Sequence, residues 1–243
     1  MRDPIYRGEG VADAGGQPVL LIPGFLAGDD SLALMTRWLR RTGHHTRKAG
    51  IRSNVDCSSV VMQRLAERLE VMAETRGQKV AIVGQSRGGH FAKVLAARRP
   101  DLVSGIVTLG SPQLNPVAIH PLVRMQVYAV GTLGSVGLRG MFKHSCLWDE
   151  CCRSFWHDLG QPLPKGVGYL SVYSKSDGVV DWRACLDSCA EQLEIRSSHV
   201  GMAVNVASYR AVADALATFR LPAGKRRNGQ HQAARQPSVR RAA

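Results

Sequence analysis

The run Val80-Ala81-Ile82-Val83-Gly84-Gln85-Ser86-Arg87-Gly88-Gly89-His90-Phe91-Ala92 decides how the rest of the chain is read. Four consecutive apolar residues predict a short, fully buried strand over 80–83. An amphipathic helix follows at once and runs to about residue 99, so Ser86 falls on the turn between them. Gly84 and Gly88 flank it in the pattern G-x-S-x-G. Neither carries a Cβ, so neighbouring backbones can pass close to the serine. A strand leading in and a helix leading out force the serine onto a strained turn that presents its hydroxyl outward, and this context gives a common pentapeptide its weight. Gly89 adds room for the helix to pack on the strand.

Working outward, the same alternation repeats. Val19-Leu20-Leu21-Ile22 is an apolar run closed by Pro23-Gly24, which predicts a buried strand. A helix follows from Asp29 and Asp30, with Leu32, Met35, Trp38 and Leu39 on one face, basic residues near its end and Gly43 as its stop. Residues 60–76 predict a second helix, 103–109 a third strand, 169–173 a fourth and 192–196 a fifth. A last helix is expected over about 202–219. Strands and helices in this order make an α/β protein with a parallel sheet covered on both faces. Residues 112–166 break the alternation. Their apolar positions suit one helix or two short ones, and the series Gly131, Gly134, Gly137, Gly140 suggests a jointed segment inserted over the strand ends.

With the strand–serine–helix turn in place, the chain over 18–219 resembles the α/β-hydrolase superfamily, and within it the bacterial lipase and esterase branch. The resemblance implies a mostly parallel central sheet with helices on both faces and a helical cap. Residues 18–111 and 167–220 would form the core, 112–166 the cap, 1–17 an N-terminal extension and 221–243 a basic disordered tail. It also implies the chain order serine, acid, histidine. Ser174-Lys175-Ser176-Asp177-Gly178-Val179-Val180 is similar to the acid turn of that family, which makes Asp177 the acid. Asp181, about one turn on, is the alternative, although it reads more naturally as the N-cap of the next helix. Ser198-His199-Val200-Gly201-Met202 is similar to the histidine loop. Of the eight histidines, His199 alone combines that order with a loop after a strand, while His90 is expected to point away from the serine turn.

The resemblance places an oxyanion hole at the backbone N–H groups of Phe25 and Arg87. Pro23 stands where many lipases carry His, a departure that leaves the backbone donors untouched. The Arg87 side chain suits a structural ion pair better than an anionic substrate. A serine hydroxyl needs a base within reach, and the base needs a carboxylate to fix its tautomer. A serine nucleophile argues against epoxide-hydrolase and haloalkane-dehalogenase chemistry. Ester, thioester or amide cleavage and acyl transfer to another acceptor remain, as does a catalytically silent scaffold. The apolar insertion, with Leu147, Trp148, Phe155 and Trp156, suits an acyl chain, so a carboxylic-ester hydrolase acting on a small-molecule or lipid ester is expected. The chemistry calls for no cofactor.

Of the net charge of +13, six cations lie between 223 and 243 with no acid among them. That composition cannot offset its ordering entropy by burial. Its charge would support weak contact with an anionic membrane surface, but no base-reading fold accompanies it, so sequence-specific nucleic-acid binding is not expected. Arg2 and Arg7 are followed by no apolar run, and the expected location is the cytoplasm. The spacing of the six cysteines does not match the usual metal patterns, so no metal site is expected. Under oxidising conditions Cys146 would pair with Cys151 or Cys152, and Cys57 with Cys185 or Cys189.

Overall fold

Strands β1 (Pro18–Ile22), β3 (Val80–Gln85) and β4 (Val103–Leu109) form the centre of a parallel sheet, and every residue in them is buried. The computed structural model, which describes residues 2–148 and 150–221, adds β2 (His45–Lys48), β5 (Gly168–Tyr173) and β6 (Glu191–Glu194) in the order β2-β1-β3-β4-β5-β6. Alternate side chains divide between two apolar layers, as the pleat requires. Val19, Leu21, Ala81, Val83 and Val107 face one layer with α1 (Ala33–Arg41) and α7 (Val206–Phe219). Leu20, Ile22, Ile82 and Ile106 face the other, with α2 (Ser58–Arg76) and α3 (Arg87–Arg98). A Cβ on Gly105 or Gly168 would lie within 2.5 Å of the Phe219 ring, so two bare backbone positions let α7 lie down on β4 and β5.

The edges depart from the expectation. β2, His45-Thr46-Arg47-Lys48, has no apolar run and buries only Thr46 within the strand, so hydropathy gives it no signal. Its backbone pairs with β1 from Pro18↔His45 to Leu21↔Lys48, and Arg40 Nε donates to Thr46 Oγ1 at 2.6 Å. The last helix begins at Val206 rather than near 202. Asn205 caps it by accepting from the Ala207 N–H at 2.8 Å, and a 3-10 turn over Val200–Val204 precedes it.

Residues ahead of β1 are docked on the core. Ile5 is buried, Trp38 Nε1 donates to its carbonyl at 2.7 Å, and the Tyr6 ring meets Tyr209 edge-on at 5.1 Å. The expected basic tail beyond Leu221 lies outside the described residues.

Residues 112–166 hold three helices: α4 (Pro121–Ser135), α5 (Ser145–Trp148) and α6 (Glu150–Leu159). Two glycines of the series serve close packing. A Cβ on Gly134 would lie 2.2 Å from the Phe142 carbonyl oxygen, and one on Gly131 would lie 2.9 Å from His144 Nδ1. Those two glycines let the chain after α4 fold back against it. Gly137 and Gly140, at φ 101° and 79°, make the turn itself.

Candidate active site

Ser86 stands between β3 and α3 with φ 51° and ψ −123°, a conformation that non-glycine residues rarely adopt. The surrounding backbone holds it there. Its N–H donates to the Leu109 carbonyl at 2.9 Å. A Cβ on Gly84 would meet the Gly88 carbonyl oxygen at 2.5 Å, and one on Gly88 the Ile22 carbonyl oxygen at 2.2 Å. Both flanking glycines are therefore required by contact, and so is Gly89, where a Cβ would fall 2.0 Å from Ser111 Oγ.

The loops after β5 and β6 bring Asp177 and His199 together. Asp177 Oδ2 accepts from His199 Nδ1 at 2.7 Å, and its Oδ1 accepts the N–H groups of Val179 at 2.8 Å and Val180 at 2.9 Å. Its side chain is 2% exposed, so the bond to His199 is made in a nearly dry site. Asp181 is turned elsewhere, accepting the Arg183 N–H at 3.0 Å as the cap of a 3-10 turn.

Three residues with no such role expected from the sequence align these loops. Buried Ser174 Oγ accepts from Ser176 N–H at 3.0 Å and from Ser197 N–H at 3.1 Å, joining the acid turn to the histidine loop. Gln85 Nε2 donates to the His199 carbonyl at 3.2 Å, tying that loop to the residue before the serine. Gly110, at φ 57°, lies beside the pair, where a Cβ would be 3.1 Å from both Asp177 Oδ2 and His199 Nδ1. Only the positive φ implied by a glycine after a strand could have signalled the last of these.

Phe25 and Arg87 meet the serine from two sides. Phe25 follows Gly24, whose added Cβ would lie 3.1 Å from Ser86 Cβ, and Arg87 is the first residue of α3, so its N–H has no partner within the helix. The Arg87 side chain makes no carboxylate pair among the described residues, contrary to the ion pair expected for it. Its guanidinium donates to the Asn54 carbonyl and the Asp56 carbonyl, both at 2.8 Å, and lies 5.2 Å from the Phe91 ring centre and 5.3 Å from that of Phe142. Crowding by these neighbours lowers its pKa to about 10, although part of the residue surfaces in a cavity wall. Fully buried Asn54 completes the clamp, donating to the Pro23 carbonyl at 2.8 Å.

That cavity, about 660 Å³, opens on Ser86 and is walled mainly by apolar groups, among them Phe25, Val123, Val127, Phe142, Leu147 and Trp156. The aromatic residues expected to form a channel divide. Trp156 and Leu147 line the cavity, whereas Phe155 is buried in the α3 layer, 5.4 Å from the Phe91 ring. The Trp148 side chain lies outside the described residues. His90 also reaches the cavity wall, contrary to expectation, with Nε2 3.3 Å from the Pro112 carbonyl oxygen. Burial, with the Arg87 charge behind it, lowers its pKa to about 4, so it is neutral at pH 7.

Of the cysteines, Cys57 departs from expectation, while Cys146 lies beside Cys151 as expected. Cys57 meets Cys152, 3.5 Å apart at sulfur, rather than Cys185 or Cys189, and Cys146 meets Cys151 at 3.5 Å. A group of four thiols gathered across 95 residues was not visible in the spacing.

Parallel strands alternating with helices on both faces, with a serine on the turn between β3 and α3, define an α/β-hydrolase-fold protein. Residues 27–191 match the Esterase family, and the chain belongs to that family. It is 29% identical over 144 residues to an "AB hydrolase superfamily protein" of Gibberella zeae, covering 57% of this chain and 50% of that one. It is 30% identical over 112 residues to a triacylglycerol lipase of Vibrio cholerae, covering 44% of this chain and 36% of the lipase. The chain thus matches half or less of the length of these relatives. Among solved structures, Bacillus licheniformis lipase BlEst2 in mature form superposes with TM-score 0.62 at 14% identity, over 85% of this chain and 94% of that one. A soluble variant of the Saccharomyces cerevisiae monoglyceride lipase gives 0.58 at 14% identity, over 87% and 88%. At such identities these likenesses concern the fold.

Proposed function

We propose that this chain is a serine carboxylic-ester hydrolase in which Ser86 is the nucleophile, His199 the base and Asp177 the orienting acid. The observation that carries the reading is the 2.7 Å bond between His199 Nδ1 and Asp177, made beside Gly110 and one strand away from a serine held at positive φ. That bond commits Nδ1 to the carboxylate and leaves Nε2 as the proton acceptor. Ser86 Oγ attacks the ester carbonyl carbon as His199 Nε2 takes its proton. The carbonyl oxygen becomes an alkoxide facing the N–H groups of Phe25 and Arg87, where each donor contributes roughly 3–4 kcal/mol. The intermediate collapses, His199 returns the proton to the departing alcohol, and an acyl-Ser86 remains. A water, deprotonated by His199, then releases the acid and restores the serine.

The apolar cavity beside Ser86 supports an ester with a hydrophobic acyl chain. Exposed Leu122, Met125 and Tyr128 on α4 support approach of a lipid-like substrate to the cap. A fluorophosphonate probe followed by peptide mapping tests the assignment. Labelling on the peptide holding Ser86, with p-nitrophenyl butyrate hydrolysis lost in step, is expected, and labelling elsewhere overturns it. Faster release of acyl product on adding an alcohol or thiol would redirect the reading to acyl transfer.

A further inference from the structure

We propose that Cys57, Cys146, Cys151 and Cys152 form a tetrathiolate site for a soft divalent cation, zinc foremost, which staples the cap to the core. Their sulfur atoms all lie within 4.8 Å of one another. Three separations are 3.5 Å (Cys57–Cys152), 3.5 Å (Cys146–Cys151) and 3.7 Å (Cys151–Cys152). A tetrahedron with Zn–S bonds of about 2.3 Å has edges of about 3.8 Å, so the four sulfurs need only slight adjustment around an ion. Sulfur-only ligation selects soft cations over magnesium or calcium.

The surroundings fit a centre with net negative charge. Four thiolates around a divalent cation carry two excess negative charges, with one proton released for each thiol bound. Arg87 lies beside the cluster, and among the described residues its side chain donates to neutral acceptors: the Asn54 carbonyl and Oδ1, the Asp56 carbonyl and Ser58 Oγ. Asp56, on the segment that Arg87 clamps, has its carboxylate paired to Arg64 at 3.0 Å. A cation in a crowded wall is costly to hold, and a metal–thiolate centre beside it would lower that cost. The outer contacts are those of a braced site: Ser59 Oγ donates to the Cys151 carbonyl and lies 3.7 Å from Cys152 Sγ, and Trp156 Nε1 donates to the Cys146 carbonyl at 3.2 Å.

The location gives the site its purpose. Cys57 precedes α2, on the segment that Arg87 clamps, while Cys146 is in α5 and the other two begin α6. Cys146 and Trp156 also line the cavity over Ser86, so one ion would fix the cap wall against the core. The proposal is independent of catalysis, because metal content can be read whether or not an ester is cleaved.

The full chain, grown with zinc and purified in reductant without chelator, should retain one zinc per chain by atomic emission. Cobalt substitution should give thiolate-to-metal charge-transfer absorption with the intense visible bands of a tetrahedral site. Cys57→Ser and Cys152→Ser should lose the metal, and Cys189→Ser, outside the cluster, should keep it. Denaturing the wild-type chain in chelator should free all six thiols. Two free thiols with Cys57–Cys152 and Cys146–Cys151 disulfides in the peptide map would overturn the metal site in favour of a pair of bridges. Six free thiols with neither zinc nor a cobalt spectrum would reduce the cluster to packing. Both overturning results come from the wild-type chain, so a variant that fails to fold leaves the test intact.

Discussion

The turn under Ser86 and the cap above it use glycine for the same physical purpose, yet they are specified in opposite ways. At the turn, Gly84 and Gly88 meet backbone within 2.5 Å, and the partners of Gly84 are only a few residues along the chain. The local order strand–serine–helix is enough to anticipate them. In the cap, Gly131 and Gly134 also exist for close contact, but with His144 and the Phe142 carbonyl, in a segment that returns after a turn. A regular glycine spacing read in isolation looks like flexibility, and the fold turns it into packing. Adjacent residues can divide as well: Phe155 goes to the core and Trp156 to the cavity, because α6 lies between the two. A turn fixed by steric contact should fail abruptly when its chemistry is removed, whereas a cap wall built from many apolar contacts should respond in degrees.

The largest expected effect is on the turn. Ser86→Ala should reduce p-nitrophenyl butyrate turnover by roughly 10⁴–10⁶-fold with the circular-dichroism spectrum unchanged. Activity within tenfold of wild type would remove the turn from the chemistry. Next comes the acid. Asp177→Asn should cost about 10⁴-fold in kcat, by leaving His199 in the wrong tautomer, and Asp181→Asn less than about threefold. The reverse ranking would move the acid to the neighbouring cap residue.

Between turn and cap stands His90, and its test is thermodynamic. Its native pKa is lowered to about 4 from an ordinary 6.5, so between those values the unfolded chain binds a proton that the native chain refuses. The associated stability is present above pH 6.5 and is lost as pH falls toward 4, a change of about 3 kcal/mol. Denaturant titration across that window should give a flatter pH profile for His90→Gln than for the wild type. Parallel profiles would mean that His90 ionises freely in the native state.

The smallest effect belongs to the cap. Trp156→Ala should lower kcat/KM for p-nitrophenyl octanoate by about tenfold while changing acetate by less than about threefold, since each buried methylene is worth about 0.8 kcal/mol. An equal loss on both esters would mean that the cap positions the catalytic groups rather than the acyl chain.

The sequence by itself determined the central strands, the helices against them and the turn at Ser86, because each depends on hydrophobic period or on steric demands among residues a few positions apart. Through the resemblance to a known chain order it also singled out Asp177 and His199, which meet in the loops after β5 and β6. Only the tertiary structure decided the remainder. Thr46 hides the one inward position of an otherwise polar edge strand, so β2 exists because β1 offers it backbone partners, not because of its own hydropathy. Ser174, Gln85 and Asn54 are ordinary polar residues until distant loops arrive at their side chains. Arg87 became a clamp on carbonyl oxygens, and Cys57 joined three cysteines far along the chain, for the same reason. Directional contacts between remote segments leave no period in a chain, and the fold alone brings their two ends together.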